Sequence, residues 1–257
     1  MNNVALCLAL AFAVVGPAAH AQTAQDILAG ADNVRNPGKP FRLTNTLIEY
    51  INGAATDRTV LTVYVKQNPT TQDFNNLVRY VDPPRDVGKM VLMNGSNMWF
   101  YDPSSKASVR ISPQERLMGQ ASDGDVVTAN LAKDYSAKIV GEETIQDADR
   151  KSRDCWHLDL KSATDEAIYS RIEYWVEKGT YRPVKGKYYS DSGRLLKIAY
   201  YTRYAEQLGG MRPTETIIID AVDQNLVTTM TNSEMTAMDI PDAWYQRDYL
   251  PHVKPAD

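Results

Sequence analysis

From Phe41 onward the side chains alternate with a period of two, and that rhythm restricts the chain to a mainly β fold. Residues 41–51 place Leu43, Leu47 and Ile51 on one face and Ile48 and Tyr50 on the other. Residues 59–67 set Leu61, Val63 and Val65 against Thr62 and Tyr64. Asn94-Gly95, between residues 89–93 and 97–101, is a strong two-residue hairpin signal. Between residues 136 and 234 strand segments recur roughly every 10–13 positions, separated by turns such as Asp191-Ser192-Gly193 and Asp223-Gln224-Asn225, as in an antiparallel meander. The expected total is about 11 strands. Several are apolar on both faces. Leu195, Ala199 and Tyr201 oppose Leu196, Ile198, Tyr200 and Tyr204, and Ile217 and Ile219 oppose Ile218 and Val222. An open sheet this large must curl or split. One that is apolar on both faces needs cover on both, or encloses something apolar on one.

Helical spacing is confined to short pieces. Ile27, Leu28, Ala31 and Val34 recur at helical intervals behind a Thr23 cap, and Asn36-Pro37-Gly38-Lys39-Pro40 ends the run. Ser112 and Pro113 predict a helical turn with Leu117 and Met118 on its apolar side, ended by Gly119. Ser122 and Asp123 predict the cap of a further helix through Val126, Val127, Ala129, Asn130, Leu131 and Ala132. Three short helices are too few to fill the hollow of such a sheet, which predicts a lipid-sized cavity. Residues 241–257 read as a tail rich in Pro and Asp, without periodicity. No internal repeat or linker divides the chain.

Residues 1–21 have the layout of a cleavable secretory signal peptide: an apolar stretch of about 12 residues, too short to span a bilayer, and an Ala19-His20-Ala21 ending. Residues 22–257 are then a single exported domain, expected in the periplasm, where ATP and NADH are not supplied. Cys7 lies inside the apolar stretch and Cys155 alone remains, read as a buried thiol with no intramolecular partner. The net charge of −4, with no basic cluster, argues against nucleic acid and against adhesion to anionic lipid surfaces. Beyond His20, the histidines are His157 and His252. His157 alternates with Cys155 and Asp159, and a hydrogen bond to an acid is its simpler reading than metal ligation. The acidic groups Glu142/Glu143, Asp147/Asp149 and Asp123/Asp125 lie in loops or at a predicted cap. No G-x-S-x-G, H-E-x-x-H or phosphate-binding loop occurs, so no catalytic residue, metal or cofactor is expected.

One stretch carries a family likeness: Pro83, Gly88, Leu92, Met98-Trp99-Phe100-Tyr101-Asp102-Pro103, Arg110-Ile111-Ser112 and Gly119-Gln120-Ala121-Ser122-Asp123-Gly124-Asp125. It resembles the outer membrane lipoprotein-sorting proteins, relatives of the periplasmic carrier LolA. Here Gln120-Ala121 stands between the glycine and the Ser-Asp pair of that pattern. The resemblance implies an open antiparallel half-barrel with short helices over its concave face and a hydrophobic cavity that shields acyl chains. It also implies an acylated lipoprotein or lipid as partner, an inner-membrane transporter as a further one, and action as a monomer without catalysis. On that reading the cavity and lid comprise Ile27, Leu28, Leu117, Met118, Val126, Val127 and Leu131, with Trp99, Tyr101 and Trp175 lining the pocket or standing on the outer face. Ordinary helix-to-sheet packing explains each of these residues as well. The other readings are a periplasmic adaptor for a membrane transporter, its cavity filled by its own side chains, and a hydrolase with His157 as base.

Overall fold

The computed structural model describes residues 22–254; the signal segment expected at 1–21 lies outside them. The first element is helix α1 (Ala24–Arg35). Thr23 caps it reciprocally: its Oγ1 accepts from the Asp26 amide at 3.1 Å, and the Asp26 carboxylate accepts from the Thr23 amide at 3.2 Å. The opposite end rests on the buried Arg212, whose guanidinium donates to the carbonyls of Asn33 and Val34 at 3.1 and 3.0 Å. A cation at a helix C-terminus also complements the helix dipole.

The strands are β1 (Phe41–Ile51), β2 (Ala54–Gln67), β3 (Phe74–Asp82), β4 (Met90–Asn94), β5 (Asn97–Asp102), β6 (Ala107–Ile111), β7 (Arg116–Met118), β8 (Ala121–Ser122), β9 (Tyr135–Gln146), β10 (Ser152–Ser162), β11 (Arg171–Glu177), β12 (Pro183–Tyr189), β13 (Leu195–Gln207), β14 (Gly210–Asp220) and β15 (Leu226–Ala237). β7 and β8 form a separate hairpin, and the rest make one sheet of 13 strands. The expected number was about 11. The segments expected at 89–93 and 97–101 form β4 and β5, joined through the Asn94-Gly95 turn.

The order across the sheet is β6-β5-β4-β3-β2-β1-β15-β14-β13-β12-β11-β10-β9, antiparallel throughout. Two meanders therefore meet where the first strand pairs with the last. The break in chain order falls between β6 and β9, the two outer edges. Residues 112–134 must consequently travel the whole width of the sheet, and they do so along one face, here called inner. β2 and β11 are six positions apart, about 29 Å in a flat sheet. Val63 of β2 and Ile172 of β11 nevertheless line the same cavity. The sheet curls around its inner face and stays open at β6 and β9.

The crossing segment departs from the helices expected there. Ser112 and Glu115 close a turn, with the Ser112 amide donating to Glu115 Oε1 at 2.8 Å. Leu117 and Met118 then extend into β7, because Gly119 takes a left-handed φ of +55° and turns the chain back into β8. Ser122 caps only the short 3-10 turn Asp123–Asp125. Residues 126–130 leave helical geometry because their backbone is bonded elsewhere, Thr128 to Asn76 and Ala129 to Arg35 and Asn36. Helix α2 (Leu131–Asp134) is a single turn capped by Asn130.

The tail is also structured. Two 3-10 segments, Asp242–Tyr245 and Arg247–His252, lie over the outer face of β2–β5. Ile240, Trp244, Tyr245 and Leu250 form an apolar cluster there with Tyr64, Leu77, Met90, Leu92 and Tyr101.

Candidate functional site

The inner face bears the main core. Phe41, Leu43 and Leu47 of β1 share their face with Asn45, and Val63 and Val65 of β2 join them. α1 covers one part of this face through Ile27, Leu28 and Ala31, and the crossing segment covers another. Between sheet and segment lies a cavity of about 160 Å³. Phe41, Leu43, Val63, Ile172, Ala199, Ile218 and Met230 supply its apolar wall, and Val126, Val127 and Leu131 close it from above. A cavity near this size holds a molecule as large as benzene.

Polar bonds hold the cover. Asn76, fully buried on β3, clasps Thr128 with both ends of its amide: its Nδ2 donates to the Thr128 carbonyl at 3.0 Å and its Oδ1 accepts from the Thr128 amide at 2.8 Å. The Ala129 carbonyl accepts from Arg35 and Asn36, both at 3.1 Å, and the Ala132 amide donates to Asp32 at 2.7 Å. Thr228 of β15 accepts from the Gln120 amide at 2.8 Å. A side chain at Gly119 would collide with that hydroxyl, its Cβ lying 2.3 Å from it.

A buried ionic cluster adds a further clamp. Lys197 of β13, 6% exposed, pairs with Asp125 and donates to Ser122 Oγ at 3.1 Å. Tyr169 donates to Asp125 Oδ1 at 2.7 Å, and the Lys197 ammonium sits 5.1 Å from the centre of its ring. Burial, followed by the charge of Asp125, holds the Tyr169 phenol far above its ordinary titration range. Ions this dry are stable only while every partner is present. Nearby carboxyls are pushed up as well. Asp123 rises to about 7 through burial, then the charges of Glu115 and Asp125. Asp32 and Asp134 each rise to about 6, mainly through burial.

The sequence-selected residues divide between three clusters. Ile27, Leu28, Met118, Val126 and Leu131 belong to the inner core, with Leu117 and Val127 packed against it. Of these, Val126, Val127 and Leu131 reach the cavity wall. Trp99 and Tyr101 lie under the tail, and Trp175 packs with Cys155 and Val184 in a third cluster. His157 stacks on Trp175 at 4.2 Å and contacts Glu143 at 3.0 Å, whereas Asp159 pairs with Arg171. Burial pushes the Cys155 thiol up to about 12. Sequence reasoning missed Asn76, Arg35, Lys197 and Asn45. Their signal was a polar residue at an inward position of an apolar strand or helix face, which becomes legible only once the face is known.

With 33% identity, a LolA superfamily protein from Nitrosomonas europaea matches 89% of this chain and 100% of its own, at a TM-score of 0.78. The chain belongs to the LolA superfamily. A family profile described only as "Uncharacterized protein" matches residues 72–252, and the chain is a member of that family too. Two solved structures share the LolA-like fold at a TM-score of 0.74. A DUF1329 family protein from Desulfovibrio piger is 21% identical over 88% of this chain and 97% of its own. An outer membrane lipoprotein-sorting protein domain from Vibrio parahaemolyticus is 16% identical over 89% and 98%. No curated protein matches this LolA-like chain. Among its described residues, no helix is long and apolar enough to cross a membrane.

Proposed function

We propose that this protein is a periplasmic carrier, exported by a cleaved signal at residues 1–21, that shields the acyl chains of a lipid or lipoprotein in transit towards the outer membrane, without catalysis. The observation that carries this reading is the cavity at the inner face, which sets an apolar wall of sheet residues among polar groups and is covered by a strap held by polar bonds as well as apolar contacts. Each methylene withdrawn from water contributes about 0.8 kcal/mol, so a 14-carbon chain contributes roughly 10 kcal/mol when fully sheltered. Release therefore requires a cover that can be displaced, and hydrogen bonds and ion pairs can be exchanged for water where a sealed apolar core cannot. Membership of the LolA superfamily supports the same function. Val126, Val127 and Leu131 are proposed to contact the chain, with Ile27, Leu28, Leu117 and Met118 behind them.

The test is titration with a fluorescent fatty acid. The wild-type protein is expected to bind it, and the double substitution Val127→Asp with Leu131→Asp to abolish binding while circular dichroism remains native. Unchanged binding in the folded variant removes the strap from the site. Native mass spectrometry of protein from its own periplasm is expected to show retained lipid; a lipid-free protein that also binds no fatty acid favours a periplasmic adaptor.

A further inference from the structure

Among the polar residues lining the cavity, most are committed to partners. Lys197 and Asp125 hold each other, Tyr188 and Tyr201 share a hydrogen bond, and Arg35 is bonded to Ala129. Asn45 is different. It is 3% exposed and sits on the inner face of β1 between Leu43 and Leu47. Its cross-strand neighbour is Asn232 of β15, which also lines the cavity, and its Nδ2 donates to Asn232 Oδ1 at 2.9 Å. Asn45 Oδ1 is buried and accepts from no group of the described residues. Rotating both amides end for end would leave an Asn45 N–H free in place of the carbonyl, so one unused polar group persists in either arrangement.

A buried polar group without a partner is costly, and a leucine at this position would remove the cost. A plain hydrocarbon chain does nothing for it. A hydroxyl, which both donates and accepts, satisfies either arrangement of the amide. We propose that the cavity is built for an apolar lipid carrying a hydroxyl group on its hydrocarbon part, and that Asn45 receives that hydroxyl. This rests on the carrier reading and specifies its cargo. Two sources share the chemistry: a hydroxylated acyl chain and a hydroxylated polycyclic lipid.

The experiment displaces a bound fluorescent fatty acid with two pairs of competitors, 3-hydroxytetradecanoate against tetradecanoate and cholesterol against cholestane. The wild-type protein is expected to prefer the hydroxylated member of one pair by about five- to tenfold, the value of one net hydrogen bond. The pair that shows the preference identifies the source. Asn45→Leu is expected to bring that ratio to about one. Should this variant fold poorly, Asn45→Leu combined with Asn232→Leu removes both partners together and gives the same readout. A wild-type ratio near one in both pairs, or a preference that survives both variants, overturns the assignment and leaves the carrier reading standing. Failure of the wild-type protein to bind any of these probes overturns the carrier reading and this assignment with it.

Discussion

The two covers of this sheet differ in kind. On the outer face of β2–β5, the tail inserts Ile240, Trp244, Tyr245 and Leu250 among Tyr64, Leu77, Met90, Leu92 and Tyr101. Trp244 meets Tyr64 edge-on at 5.3 Å, and two polar bonds at the margin, Asn94 to the Tyr245 carbonyl and Lys66 to the Ile240 carbonyl, register the contact. On the inner face, the strap at residues 112–134 contributes Leu117, Met118, Val126, Val127 and Leu131 to the core and is bonded besides by Asn76, Asp32, Arg35 and Lys197. Apolar contact once broken is left facing water, whereas the buried polar groups of the strap regain partners in water only as the strap lifts. On the proposed carrier reading, the tail is the fixed wall and the strap the one that moves.

The largest expected effect tests the wall. Trp244→Ala should cost about 3–5 kcal/mol of global stability. Denaturant unfolding measures this, and fatty-acid affinity in the surviving native state should change less than twofold. A large loss of affinity would mean that the two covers are coupled and the distinction fails. Asn76→Leu tests the strap. It strands the Thr128 amide and carbonyl, and should lower the local opening free energy of residues 126–134 by about 1–3 kcal/mol. Amide exchange there should accelerate while the tail keeps its protection; equal acceleration in both would contradict the comparison.

The smallest effect is in pH. Asp32 and Asp134 titrate near 6 and Asp123 near 7 in the folded protein, above their ordinary value of 3.8. The folded state then binds more protons than the unfolded one between about pH 4 and 7, so stability falls as pH rises through that window. Glu173 and Asp147 are held low instead, Glu173 by Tyr189 and Lys187 and Asp147 by the Lys151 amide and Arg153, so their contribution is lost as pH falls through the acid range. Melting temperature should therefore peak near pH 5, and the strap, which carries Asp123 and Asp134, should show lower protection at pH 8 than at pH 5 once the intrinsic pH dependence of amide exchange is divided out. Asp123→Asn should flatten the upper part of the profile. A profile that rises steadily from pH 5 to pH 8 would refute the assignment of buried carboxyls to the strap.

Much of the fold was legible from residue order alone. The span of β1 coincides with the alternating run that predicted it, β4 and β5 meet at the Asn94-Gly95 turn, and Thr23 caps α1. These features rest on neighbours close in sequence. The strap was misread as helix because Ser122, Asp123 and Val126 satisfy the local rules for one. Its backbone is instead claimed by Asn76, Arg35 and Asn36, which lie 52, 94 and 93 positions away. The tail has no periodicity because its contacts are single aromatic anchors, not a repeating face.

The sequence by itself determined that the chain is a large antiparallel sheet, apolar on both sides and in need of two covers, because alternation and turn residues act within a few positions. Only the tertiary structure decided which segment covers which face. Pairing β1 with β15 leaves β6 and β9 at opposite edges and obliges residues 112–134 to cross the inner face. The charges that hold them there become neighbours only after the sheet has curled.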